Sequence, residues 1–148
     1  MPRHDPKSGS GTTETPRAQR RMENDPLRDP LTNHVIGLAI GVHRELGPGL
    51  LESAYEECLC FELKQSGIAF ARQTPLAIAY KGTRLDCGYR LDIVVQDELI
   101  IELKAVDRLL PIHDAQLLTY LRLSGRKVGL LMNFNTILLK DGIRRLIL

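Results

Sequence analysis

Residues 89–104, Tyr-Arg-Leu-Asp-Ile-Val-Val-Gln-Asp-Glu-Leu-Ile-Ile-Glu-Leu-Lys, constrain the fold of this chain more than any other stretch. Successive side chains of a strand point to opposite faces, so Leu91, Ile93 and Val95 share one face, and Leu99, Ile101 and Leu103 share one face of the next strand. Pairing the two sets into one uninterrupted apolar surface requires an antiparallel hairpin, and the simplest register centres its turn on Asp97. Asp92 then lies opposite Glu102. Directly opposed residues have Cβ atoms about 4.5–5.5 Å apart, and like charges in that position are destabilising. Two compensators are available: Lys104, two residues from Glu102 on the same face, and a divalent cation of the kind held by one or two carboxylates. The alternative is a wet sheet face on which Arg90 and Lys104 screen the acids. Val94 and Ile100, on that same face, favour partial burial.

The pattern around this hairpin predicts helices over 33–46, 50–65 and 113–123, each with apolar residues at helical spacing. Leu-Gly-Pro-Gly at 46–49 ends the first helix, Ser66-Gly67 the second and Ser124-Gly125 the third. Short strands are expected over 68–72 and 76–80, separated by Pro75, then over 85–95, 99–105 and 127–134. Residues 136–140 and 143–148 are expected to flank a hairpin turn at Asp141-Gly142. The order α, α, β, β, β, β, α, β, β describes an α/β (α+β) domain, a central mixed β-sheet flanked by helices.

A chain of 148 residues makes one core, burying about two-thirds of the surface that its unfolded form exposes. Residues 1–30, rich in proline and interleaved charge around Ser-Gly-Ser-Gly, form an expected disordered tail, which leaves 31–148 as the folded domain. The tail lacks the apolar core of a secretory signal, and its acidic residues count against a transit peptide. No apolar run approaches the roughly 18 residues that cross a bilayer, so a membrane partner is not expected. A net charge of +2 excludes binding to nucleic acid by bulk charge and confines any such contact to a local patch. Cys58, Cys60 and Cys87 show no metal-site spacing and read as reduced, buried thiols of a cytoplasmic protein.

Asp92, followed after nine residues by Glu102-Leu103-Lys104 on the next strand, resembles the Asp…Glu-x-Lys core of the PD-(D/E)XK nuclease superfamily. A more specific resemblance lies in Gly49-Leu-Leu-Glu52-Ser-Ala-Tyr55, the pattern that names the GxxExxY family of that superfamily, with similar sequence at 42–49 and 102–118. Leu91 stands where the superfamily's name places proline, a departure shared by many members. Gln116 and Tyr120 resemble the Gln-x-x-x-Tyr motif of its RecB-type exonuclease branch and, being i and i+4, share one helix face.

The resemblance spans about 33–148 and implies a restriction-endonuclease-like core with hydrolytic activity on phosphodiester bonds of DNA or RNA. It further implies that Asp92, Glu102, the backbone carbonyl of Leu103 and Glu52 hold Mg²⁺ or Mn²⁺, and that Lys104 positions or activates the attacking water. A Glu in the first turn after Pro48-Gly49 is also what the helix dipole favours without any chemistry. Gln116 and Tyr120 would orient the substrate or support the metal ligands, and Tyr55 is expected as a packed aromatic with its hydroxyl bonded near the site. His43 and His113 read as structural histidines, and Arg90, Arg108, Arg122, Arg126 and Lys127 as a local basic rim or ordinary surface. Two other functions fit the sequence: a catalytically silent module that binds nucleic acid or a protein, and a homodimer built on the apolar strand at 145–148.

Overall fold

A computed structural model describes residues 29–148, so the tail expected over 1–30 lies almost wholly outside the described residues. Helix α1 (Pro30–Leu46) begins at Asp29, whose carboxylate accepts the Thr32 N–H at 3.2 Å. Pro30 follows, where the first helical turn needs no amide donor. Val35, Ala39 and Val42 form its buried stripe. The helix stops because Gly47 and Gly49 take φ of 73° and 98°, a left-handed region that a side chain rarely adopts, and the Gly47 N–H donates to His43 O at 2.7 Å. Helix α2 (Glu52–Gln65) restarts at once and buries Tyr55, Glu56, Leu59, Cys60 and Leu63.

Five strands follow, β1 (Phe70–Tyr80), β2 (Thr83–Val95), β3 (Leu99–Lys104), β4 (Val128–Asn133) and β5 (Ile143–Ile147), hydrogen-bonded in that order. All neighbours are antiparallel except β3 and β4, which are parallel and joined through helix α3 (Pro111–Ser124). The sheet is therefore mixed, as expected. One face carries α1 and α2, packed on Ile93, Val95, Leu99, Ile101 and Leu103, and the other carries α3, whose Leu117, Tyr120 and Leu121 pack on Val94, Ile100 and Leu131.

The central hairpin has the expected register, with Val95 opposite Leu99, Val94 opposite Ile100 and Ile93 opposite Ile101. Gln96 and Asp97 take φ of 50° and 56°, and the Glu98 N–H closes the turn on Val95 O at 3.0 Å. Arg126 pins the turn through an ion pair with Asp97 at 2.5 Å, so it is engaged rather than part of a free basic rim.

Four expectations are corrected. The runs over 68–72 and 76–80 merge into one strand through Pro75, which is tolerated because β1 is an edge strand and proline there removes no central ladder bond. The C-terminal hairpin is replaced by a 3₁₀ turn (Leu139–Gly142), after which β5 pairs with β4. There His43 Nε2 bonds Phe134 O and Thr136 O, at 3.1 and 2.8 Å, which holds the segment after β4 out of strand geometry. Leu91 leaves the face of Ile93 and Val95 and packs with Leu76 and Val94 beneath α3, beyond the point where the β2–β3 ladder ends at Ile93 and Ile101. Cys60 is buried, its thiol pushed up to about 11 chiefly by burial, whereas Cys87 is exposed.

Candidate active site on the central strands

The regular β2–β3 ladder reaches Ile93 and Ile101, and at the next pair side chains take over from backbone. The Asp92 N–H donates to Glu102 Oε2 at 2.9 Å, and the Leu103 N–H donates to Asp92 Oδ2 at 2.9 Å. Each carboxylate is thus locked by an amide of the opposite strand. Asp92 Oδ1 and Glu102 Oε1 take no hydrogen bond among the described residues. The register read from the sequence predicts this opposition, but the exchange of ladder bonds for carboxylate bonds needs the tertiary structure.

The pair sits in an environment that resists two negative charges. Glu102 is 6% exposed, and burial, followed by the charge of Asp92, pushes its carboxyl up to about 8. The Asp92 amide and Lys104 pull against this without cancelling it. Asp92 is also raised, chiefly by burial and then by Glu56 and Glu52, against the Leu103 N–H and Lys104. Half-buried Lys104 donates to Gln116 Oε1 at 3.3 Å, which ties β3 to α3. Tyr120, one turn beyond Gln116, is raised by burial and by Glu102. Asp92, Glu102, Leu103, Lys104, Gln116 and Tyr120 are therefore brought together.

Glu52 and Tyr55 stand differently. Glu52 is the exposed first residue of α2, near enough for its charge to raise both Asp92 and Glu102. Among the described residues no group of three or more His, Cys, Asp or Glu side chains is assembled to hold a metal ion, so Glu52 does not complete a three-acid cage. Tyr55 is fully buried, stacked on Phe134 with ring centroids 4.5 Å apart. Its hydroxyl donates to Gly47 O at 2.6 Å and accepts the Leu50 N–H at 3.1 Å. It clamps the Gly47–Leu50 turn instead of reaching the acids. The Gly-x-x-Glu-x-x-Tyr spacing acquires a physical reason: Gly49 makes the turn, Tyr55 holds it, and the turn sets where Glu52 begins the helix.

Glu56 was not among the residues singled out from the sequence. It is 8% exposed and accepts Arg72 Nη2 at 2.8 Å and Gln73 Nε2 at 2.9 Å, while its charge raises Asp92. A carboxylate on the stripe of Tyr55, Leu59 and Leu63 was its only signal, since a charge on a buried face demands a partner. Gln73 lies in β1 between Arg72, opposite Ile93, and Thr74, opposite Leu91, which puts it beside Asp92 with φ of 50°. His43 and His113 are structural, the latter accepting the Leu110 N–H at 2.9 Å on its Nδ1.

The donor set fits a hard divalent cation. Two opposed carboxylates, both raised by burial and by neighbouring acids, keep one oxygen each uncommitted, and such cations are commonly held by one or two carboxylates, waters and substrate phosphates. A helix-flanked mixed sheet with an acid pair and a lysine on adjacent central strands defines a restriction-endonuclease-like protein. In agreement, the family model of the PD-(D/E)XK nuclease superfamily matches residues 29–146, and the chain belongs to that superfamily. No curated protein and no solved structure matches it. No helix among the described residues is long and apolar enough to cross a membrane.

Proposed function

We propose that the chain is a divalent-metal-dependent nuclease of the GxxExxY group that hydrolyses phosphodiester bonds of DNA or RNA. The observation that carries this reading is the reciprocal lock of Asp92 and Glu102, each carboxylate held by the other strand's N–H with one oxygen left open. Asp92, Glu102, the carbonyl of Leu103 and Glu52 are the residues that would hold Mg²⁺ or Mn²⁺. Bound there, such an ion supplies Lewis-acid polarisation of the phosphodiester and a bound water of lowered pKa.

The chain's own residues do the rest. The two amides fix the carboxylates before substrate arrives, so little reorganisation is needed at the reacting centre. Lys104, held by Gln116 Oε1, keeps its ammonium beside the acid pair, where it orients the attacking water and stabilises charge developing on the phosphate. Gln116 restrains Lys104 from α3, Tyr120 lines the same side of the site, and the charge of Glu56, held by Arg72 and Gln73, acts on Asp92. Lys104→Ala should abolish metal-dependent cleavage of single- and double-stranded oligonucleotides while leaving thermal unfolding within a few degrees of wild type. Cleavage at the wild-type rate would refute the assignment.

A second reading, a catalytically silent module on the nuclease fold that binds nucleic acid or a protein partner, draws support from Glu52, which stays outside a three-acid cage. Nucleic-acid binding without turnover in either Mg²⁺ or Mn²⁺ would select it.

A further inference from the structure

Behind Gln116 and Tyr120, on the side away from α1 and α2, the structure has a recess of about 250 Å³ between α3 and the β1–β2 hairpin. Tyr89, Tyr120, Ile78, Ile112, Gln116 and Thr119 line it. Three features bear on its use. Its volume falls below the ~300–1,000 Å³ of sites for drug-sized molecules, which suits one planar ring rather than a larger ligand. Its walls are aromatic and aliphatic, with the Tyr89 and Tyr120 rings 6.1 Å apart and inclined at 60°, and two of its apolar members stay largely open: Tyr89 is 45% and Ile112 66% exposed. Its polar groups, the Gln116 amide and the Thr119 hydroxyl, can meet the hydrogen-bonding edge of a ring.

The surroundings point to a nucleotide. Gln116 and Tyr120 belong both to the recess and to the neighbourhood of Lys104 and Glu102, so a ligand here lies next to the phosphate position of the proposed site. One exposed guanidinium borders it: Arg122, one turn beyond Thr119 on α3 and bonded to Thr119 Oγ1 at 3.4 Å. An aromatic recess between a phosphate site and a cation matches a base, the strand's reacting phosphate and a neighbouring phosphate. In a duplex the base faces are covered by stacking, so only an unpaired or extruded base can enter.

We infer that this recess takes one unpaired nucleobase of the substrate strand, stacked against Tyr89, so that single strands or frayed ends are the substrate class. The inference rests on the nuclease reading for the position of the phosphate, but it concerns binding and does not require turnover.

The test is fluorescence anisotropy in EDTA, with a short labelled oligothymidylate, the same strand paired with its complement, and a strand carrying one base-less residue. Stacking is worth roughly 1–3 kcal/mol per base by alanine substitution, so Tyr89→Ala should weaken single-strand binding about tenfold and leave duplex binding unchanged. Tyr89→Phe should restore it, and Ile112→Ala on the opposite wall should weaken it in the same selective way. Equal single-strand affinity for wild type and both alanine variants, equal wild-type affinity for duplex and single strand, or no binding to any probe would overturn the inference. Cleavage is read in parallel with added Mn²⁺. Selective loss of binding in Tyr89→Ala together with a wild type that never cleaves would overturn the nuclease reading and support the recess.

Discussion

Glu102→Gln should stabilise the metal-free protein at alkaline pH, although it removes a residue assigned to the reaction. Burial and the charge of Asp92 raise the Glu102 carboxyl from 4.5 to about 8 in the folded protein. Below pH 4.5 the group is protonated in both folded and unfolded chains and carries no penalty. Between 4.5 and 8 the unfolded chain releases its proton while the folded chain retains it, so stability falls as pH rises; above 8 the folded state carries the full penalty of a buried charge. A difference of about 3.5, at 1.36 kcal/mol each, sets a ceiling of about 5 kcal/mol, and water reaching the site lowers the realised value. Glutamine keeps a carbonyl oxygen to accept the Asp92 N–H and has no charge to bury. Urea unfolding in EDTA at pH 4 and pH 9 measures this: wild type and variant should nearly coincide at pH 4, and the variant should be more stable by about 1 kcal/mol or more at pH 9. A variant less stable than wild type at pH 9, or a difference independent of pH, would refute the electrostatic account of the acid pair.

Other elements of the account are equally open to test. Tyr55→Phe keeps the ring stack on Phe134 but removes both hydroxyl bonds to the Gly47–Leu50 turn, and should lower stability by about 1–3 kcal/mol and slow cleavage through misplaced Glu52; an unchanged denaturation midpoint would contradict the clamp. Glu56→Ala takes the acceptor from Gln73 and leaves Arg72 only its pair with Glu57, and should cost roughly 1–3 kcal/mol in urea unfolding, an effect absent if the network is mere surface. Gly142→Ala should destabilise by roughly 1–3 kcal/mol, because a Cβ there would overlap the Asn133 carbonyl; wild-type thermal unfolding of that variant would refute the close approach of the 3₁₀ turn to β4.

Sequence carried the centre of this fold well because a strand's period of two leaves little freedom once one face is buried. Ile93, Val95, Leu99 and Ile101 could satisfy that pattern in one simple register, and the opposition of Asp92 and Glu102 followed from it. What local pattern could not show was each place where a distant group decided the outcome. Pro75 looked like a strand breaker until β1 proved to be an edge. Residues 137–139 are a short apolar run that reads as strand, but His43, far away in sequence, engages the carbonyls of Phe134 and Thr136. Leu91 changed faces just where carboxylates, rather than backbone carbonyls, take the Asp92 and Leu103 amides, a substitution that local pattern does not reveal. At the site, the acid pair, Lys104, Gln116 and Tyr120 were legible from spacing and resemblance, whereas Glu56 and Tyr89 acquire their roles through contacts across elements. Tyr55 was legible as a packed aromatic, but the acceptor of its hydroxyl was not.

Thermal unfolding with and without Mn²⁺, on wild type and on Glu102→Gln, tests the central claim most directly. A ligand that binds only the folded state adds about 2.7 kcal/mol at a hundredfold excess over its dissociation constant. The account predicts that Mn²⁺ raises the unfolding temperature of wild type at neutral pH and leaves that of the variant unchanged. Equal shifts in the two proteins, or no shift in wild type even with an oligonucleotide present to supply phosphate ligands, would contradict a metal site at Asp92 and Glu102.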